Sequence, residues 1–319
     1  MKFASAVAAI VLSLAGGAAA QEAFPSRPIT IIVPFAGGSV PDSLTRMAAE
    51  HMKTVLNQPI VIDNRVGAGG AIGTAAGARA PADGYTITML GSPAVLAQET
   101  MLTPGFDVLK DFKPIGRVSN FVNVFVINSK FEIKTIAELV AYAKKNPGKL
   151  NFASSGPATP TDMGIQLFAK KHDIDILLVP YKASPAAVLA VVSGESDVSM
   201  LQAGAVLPHI KSGAMRALAV AAPKRWEMLP DVPNADEANA KLYIDGWIGL
   251  AVPVGTPDDR IAILNKALNE SLAQPRMKEI GVTSGGGVLP GTPADLTKTI
   301  EADWASVKEA TSAAGVKKQ

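Results

Sequence analysis

Short runs rich in β-branched and apolar residues alternate along this chain with segments whose apolar positions recur at helical spacing, and that rhythm leaves few folds open. "ITIIVPF" (Ile29 to Phe35) reads as a buried strand. The segment after it opens at Asp42 and carries Leu44, Met47, Ala48, Met52 and Val55 on one face, which predicts a helix with Asp42 at its N-cap. "PIVIDN", "YTITML" and "FVNVFVI" read as further strands, and helical patterns cover 136–145, 161–171, 185–193, 258–273 and 293–310. Between them lie "KLNFAS", "IDILLVPY", "SDVSML", "MRALAVA" and "GWIGLAV". Such alternation predicts an α/β protein with mainly parallel sheets covered by helices on both faces. Ligands of such sheets sit beyond the carboxyl ends of the strands, where loops lead into helix N-termini, so function is sought in those loops.

The N-terminus bounds the compartment. Met1 and Lys2 give a positive start, Phe3 to Leu14 an apolar run too short to span a bilayer, and Ala18-Ala19-Ala20 a small-residue cleavage signature. Residues 1–20 therefore read as a signal peptide, with the mature chain starting at Gln21 in the periplasm. The chain contains no cysteine, which removes disulfides and the thiol that a lipidated N-terminus needs. Its 30 basic and 28 acidic residues are scattered, and the net charge is only +2. Nucleic-acid binding needs a clustered basic face, so no such partner is expected. A chain of 319 residues exceeds the usual single core. Two domains are expected, with candidate crossings near Asn123–Asn128 and Asp245–Leu250: 21–125 plus 248–319 form the first, 126–247 the second, and a ligand cleft lies between them.

Two loops have the chemistry of an anion cup. "PFAGGSVPD" (Pro34 to Asp42) sets Gly37, Gly38 and the hydroxyl of Ser39 before a helix whose first N–H groups lack intrahelical partners. "FASSGPATPTDM" (Phe152 to Met163) sets Ser154, Ser155, Gly156 and Thr159 before another. "VPYKASPAA" adds Tyr181, Lys182 and Ser184 ahead of a third helix. The glycine-rich "NRVGAGGAIGTAAGARA" has the wrong spacing for a dinucleotide fingerprint and reads as a turn that brings a helix close to the sheet. A serine hydrolase using Ser154 or Ser155 is the alternative. No G-x-S-x-G surrounds these serines, however, and His51, His172 and His209 all sit among helix-surface or helix-end residues. No histidine pair or cysteine offers a metal site, so neither metal nor cofactor is expected.

Taken together, "PSRPITIIVPFAGGSVPDSLTR", "QPIVIDNRVGAGGAIGT", "PADGYTI", "KDFKPI", "LNFASSGPATPTDM", "VPYKASPAAVLAVVSGESDV" and "LAVPVGTPDDRIAILN" make the chain resemble, over nearly its whole mature length, the substrate-binding receptors of tripartite tricarboxylate transporters, or Bug receptors. The resemblance implies a two-domain periplasmic binding protein, a Venus flytrap of type II-like architecture, that closes on a small carboxylated molecule and performs no chemistry. It also implies two integral membrane transporter subunits as partners, with a ligand sensor feeding a signalling receptor as a variant. A monomer is the default expectation.

Carried over residue by residue, the resemblance implies ligand contacts from Phe35, Gly38, Ser39 and Asp42 in the first loop. In the second it implies Ser154, Gly156, Ala158 and Thr159. Ser155, Ser92, Tyr181, Lys182 and Ser184 complete the expected lining. The family's second glycine is Ser39 here, its next-loop glycine is Ala158, and its histidine is Asp162. An Asp162 facing the cleft would favour a ligand whose far end is neutral, aromatic or cationic.

Overall fold

The computed structural model describes residues 23–157, 159–240, 242–314 and 318; the expected signal peptide lies outside them. The first elements are β1 (Ile29–Val33), α1 (Val40–Leu56), β2 (Ile60–Asn64), a 3-10 turn (Ala68–Gly70), α2 (Ala71–Ala78), β3 (Thr86–Gly91), α3 (Ser92–Thr100) and β4 (Phe112–Asn128). Then follow α4 (Ile136–Lys145), β5 (Asn151–Ser154), α5 (Pro160–His172), β6 (Leu177–Pro180), α6 (Ser184–Ser193), β7 (Val198–Gln202), α7 (Ala203–Lys211) and β8 (Met215–Val220). The chain returns through β9 (Asp245–Pro253) and ends in α8 (Asp258–Leu272), α9 (Pro275–Thr283) and α10 (Pro293–Ala314).

The strands form one mixed sheet in the order β2-β1-β3-β9-β4-β7-β5-β6, with β8 also on β4. β1 runs parallel to β2 and β3, and β5 parallel to β6 and β7. The antiparallel pairs all involve β4 or β9. From Phe112 to Val122, β4 pairs with β9; from Asn123 to Asn128 it pairs with β7 and β8. One 17-residue strand thus serves both halves of the molecule. At the change of partner, Asn123 donates from Nδ2 to the Ile244 carbonyl at 2.6 Å, tying the outgoing strand to the returning one.

Helices cover both faces of each half. In the first, Ile29, Ile31 and Val33 pack with Leu44 and Met52 of α1 and Leu264 and Leu268 of α8, while Leu90, Val95, Phe106 and Leu296 fill the other face. In the second half the alternation of β4 divides the core: Phe125 and Ile127 meet Phe152 and Phe168, and Val124 and Val126 meet Val188, Val191 and Val206. Phe125 is fully buried, with its ring centroid 4.9 Å from that of Phe168. The glycine-rich segment does bring a helix onto the sheet, because a Cβ at Gly77 of α2 would collide with the Thr88 side chain of β3.

Helix starts differ slightly from the sequence reading, and capping explains why. The N-cap of α1 is Ser39, not Asp42: the Ser39 hydroxyl accepts from the Asp42 N–H, and Pro41 suits the first turn. α5 likewise begins at Pro160 behind Thr159, and α6 at Ser184 behind Ala183. The helices α3, α7 and α9 have no counterpart among the expected segments. All three are short, at nine residues each, and α3 is buried nearly throughout, which erases an amphipathic period.

Candidate functional site

The loops after β1 and β5 follow one plan. Each ends on an extended hydroxyl residue, Ser39 (φ −69°, ψ 160°) or Thr159 (φ −89°, ψ 158°), whose oxygen accepts from the N–H three residues on, at 3.5 and 3.3 Å. Each continues through a proline in the first turn to a buried aspartate at the third helical position, which is bonded in turn by the side chain four residues later. Residues at i and i+4 share a helix face, so Arg46 and Gln166 lie where they can hold Asp42 and Asp162.

Asp42 is 1% exposed and ties the first loop together. Its Oδ2 accepts from the Gly38 N–H (2.8 Å) and Arg46 Nε (2.9 Å), and its Oδ1 from Asn64 Nδ2 (2.8 Å). Asn64, brought alongside by the parallel pairing of Val33 with Asn64, donates also to the Phe35 carbonyl and accepts from Arg46. Burial pushes the Asp42 carboxyl up, but the bonds from Arg46, Asn64 and Gly38, with the Arg46 charge, outweigh it and hold the group below its ordinary value. Gly38 adopts φ +79°, and a side chain there would point into open space. The Ser39 N–H and hydroxyl both bond the Ala36 carbonyl, so the donors of Gly38 and Ser39 are engaged within the loop.

The second loop carries a compact hydroxyl cluster. Ser155 Oγ lies 2.6 Å from Thr161 Oγ1 and 3.2 Å from Thr159 Oγ1, and the two threonine oxygens are 3.1 Å apart. Thr159 also donates to the Gly156 carbonyl at 2.8 Å. Gly156 takes φ +124°, and a Cβ there would press to 3.1 Å on the Tyr181 carbonyl. Asp162 is 7% exposed; its oxygens accept from Ser154 Oγ (2.8 Å) and Gln166 Nε2 (2.9 Å). Its carboxylate is thus held by its own loop and helix. Ala158 lies outside the described residues.

The remaining expected residues are more dispersed. Ser184 is buried and donates to Gln202 Oε1 at 2.6 Å at the end of β7. Tyr181 sends its hydroxyl to Glu195 and Ser196, in the turn entering β7, and so away from the strand ends where the loops lie. Burial and the Glu195 charge raise its pKa against the bond from Ser196. Lys182 is exposed. Phe35 is half-buried against the first core, and Ser92, the first residue of α3, is buried and accepts from the Trp247 N–H at 3.4 Å.

Helices of the two halves meet at two places. The start of α1 approaches the start of α7, with Val40 Cγ2 3.4 Å from where a Gly204 side chain would begin, and α3 packs against α5. The starts of α1 and α7 thus lie side by side, as do the helices α3 and α5, and each helix carries the positive end of its dipole at its N-terminus. Beside them lies a cavity of about 210 Å³, walled by α3, α5, α10 and Leu242–Ile244. The cavity walls went unread in the sequence because Leu242–Ile244 and α10 are remote from the loops along the chain. Arg46 and Gln166, by contrast, were accessible through i,i+4 spacing. Neither Ser154 nor Ser155 is hydrogen-bonded to a histidine, and among the described residues no cluster of metal-ligating side chains occurs. No described helix is long and apolar enough to cross a membrane.

The family model described as "Tripartite tricarboxylate transporter family receptor" matches residues 44–314. Protein BugT of Bordetella pertussis is 35% identical over 317 residues, covering 97% of each chain. Among solved structures, the periplasmic binding protein BugD superposes with a TM-score of 0.88 at 32% identity, over 93% of this chain and 100% of that one. An R. palustris protein solved with adipate does so with a TM-score of 0.87 at 27% identity, over 93% and 100%.

Proposed function

The chain belongs to the tripartite tricarboxylate transporter receptor family, and from that premise we propose that it clamps a small carboxylate between the loop ending at Ser39 and the loop ending at Thr159. It is a solute-binding receptor of the periplasmic binding-protein type. What supports the carboxylate reading is the pairing of helices from the two halves, the start of α1 with that of α7, and α3 with α5, whose first residues Ser92 and Pro160 line one cavity. N–H groups at helix starts favour an anion without any arginine. The relative solved with adipate supports the same ligand class.

In this reading Ser155, Gly156, Thr159 and Ser92 line the site together with the first turns of α1, α3 and α5. Asp42 and Asp162 are positioning residues that hold the loops. The domains divide where β4 changes partners, after Val122, and where the chain returns, after Ile244. Closure about these crossings follows the difference in ligand affinity between open and closed forms. Export by the N-terminal segment, delivery to integral membrane subunits and action as a monomer complete the proposal. A hydrolase is not favoured, since neither serine is hydrogen-bonded to a histidine.

A thermal-shift screen of the chain from Gln21 against mono-, di- and tricarboxylates tests the reading, because a ligand of the native state raises the melting temperature by mass action. A selective rise that is lost in Thr159→Trp is expected. A flat response across the whole panel would refute it.

A further inference from the structure

The starts of α6 and α7 differ from those of α1 and α5. Ser39 and Thr159 cap α1 and α5 with their hydroxyls, whereas neither α6, behind Ala183, nor α7, behind Gln202, has a side-chain cap. Ser184, the first residue of α6, instead sends its hydroxyl to Oε1 of Gln202, the last residue of β7, at 2.6 Å. With Oε1 taken, Nε2 is the end of the amide left to donate. It donates to no described residue and is not enclosed, and Gln202 is 9% exposed, so this donor meets solvent. Buried amides ordinarily spend both ends inside the fold. Gln202 spends one, and does not use the other on its own helix.

Its place in the sheet sets what the donor can reach. β7 runs parallel to β5 with Ser199 beside Ala153, and three residues beyond this pair stand Gln202 and Gly156. On the other side Gln202 is opposite Asn123, where β4 changes partner between the halves. Two residues on, Gly204 adjoins Val40, which follows Ser39. Gln202 therefore lies between the second loop and the start of α1, the two places to which the carboxylate is assigned. Neighbouring strands are about 4.8 Å apart. That is roughly the span of a short acid from its carboxylate to a substituent on its second or third carbon.

We infer that Gln202 is a specificity-determining residue whose Nε2 reads an oxygen acceptor, hydroxyl or oxo, on the second or third carbon of the bound carboxylate. The inference rests on the carboxylate reading of the two loops and adds a class within it: short hydroxy and oxo acids over their unsubstituted alkyl counterparts. A substituent oxygen brought to Nε2 replaces the water on that donor, whereas an alkyl acid displaces the water and returns no bond. Ser184 is the positioning residue that holds the amide in this orientation.

Calorimetric titration of the chain from Gln21 with butanoate, 2- and 3-oxobutanoate and 2- and 3-hydroxybutanoate tests it. The 2-substituted or the 3-substituted pair is expected to bind at least fivefold more tightly than butanoate. Gln202→Leu is expected to bring that ratio close to one. Gln202→Glu keeps an acceptor for Ser184 but removes the donor, so the preferred oxo acid, which cannot donate, is expected to lose its whole advantage over butanoate. A role confined to holding Ser184 would leave the oxo ratio unmoved in Gln202→Glu. Melting curves check that each variant folds, and either variant alone decides the assignment. Butanoate binding within twofold of all four substituted acids overturns the inference and leaves the carboxylate receptor standing, as does an oxo ratio that survives in Gln202→Glu or Gln202→Leu. So does binding of other carboxylates but of none of these five. Binding of no carboxylate at all overturns the receptor reading, and the inference with it.

Discussion

Replacing Asp42 by alanine removes the acceptor of three hydrogen bonds at once, yet the expected loss is much less than three bonds' worth. The Gly38 N–H lies in an exposed loop and the Arg46 side chain is 47% exposed, so both donors regain water. Asn64 keeps its bond to the Phe35 carbonyl. What remains is roughly one charge-assisted bond and the order of the loop, about 2–3 kcal/mol. For a chain of this size that lowers the melting temperature by about 4–6 °C. Paired urea and thermal unfolding of wild type and Asp42→Ala measure it. The pH dependence supplies a second check. The folded pKa of Asp42 lies below its ordinary 3.8, so its stabilising contribution is fully present above that value and is lost as pH falls through the lower folded pKa. The gap between wild type and variant should therefore be constant near neutrality and shrink below about pH 3.8. A neutral-pH difference under about 0.5 kcal/mol, or one that widens in acid, would refute the idea that this carboxylate braces the loop.

Phe125→Ala empties the second core at a fully buried ring packed on Phe168 and should cost about 3–5 kcal/mol in denaturant unfolding; a cost under about 1 kcal/mol would place the core elsewhere. Gly77→Ala forces α2 away from Thr88 and should destabilise by about 1–3 kcal/mol, although alanine is the better helix former; a gain in stability would show that the approach is not needed. Asp162→Ala leaves Ser154 and Gln166 without their shared acceptor, and should cost about 1–2 kcal/mol while weakening carboxylate binding through a loosened second loop. Unchanged affinity in that variant would separate the brace from the site.

The α/β class was readable because strands and helices alternate with distinct periods, and the two anion loops because their glycines and hydroxyls stand directly before helices. Less readable was the direction in which polar side chains turn. Asp42 and Asp162 have the composition of ligand groups, but each sits at the third helical position with a bonding partner one turn later, which draws it inward. Tyr181 follows a strand end like a cleft residue, yet its long side chain reaches Glu195 and Ser196 instead. The cavity walls depend on Leu242–Ile244 and α10 meeting α3 and α5, contacts between stretches far apart in sequence that no local pattern encodes.

The position of β9 also sets the order in which the molecule can be assembled. β3 and the first part of β4 are joined only through β9, which comes more than a hundred residues after both. Contacts of such separation close slowly, because a long stretch of chain must be ordered first. The inserted half holds β5, β6, β7, β8 and its own stretch of β4, and so can organise itself while the first half still waits. A chain emerging from its N-terminus therefore stays without a finished first sheet until Pro253 has appeared, so the last third of the sequence governs when the earliest strands become native.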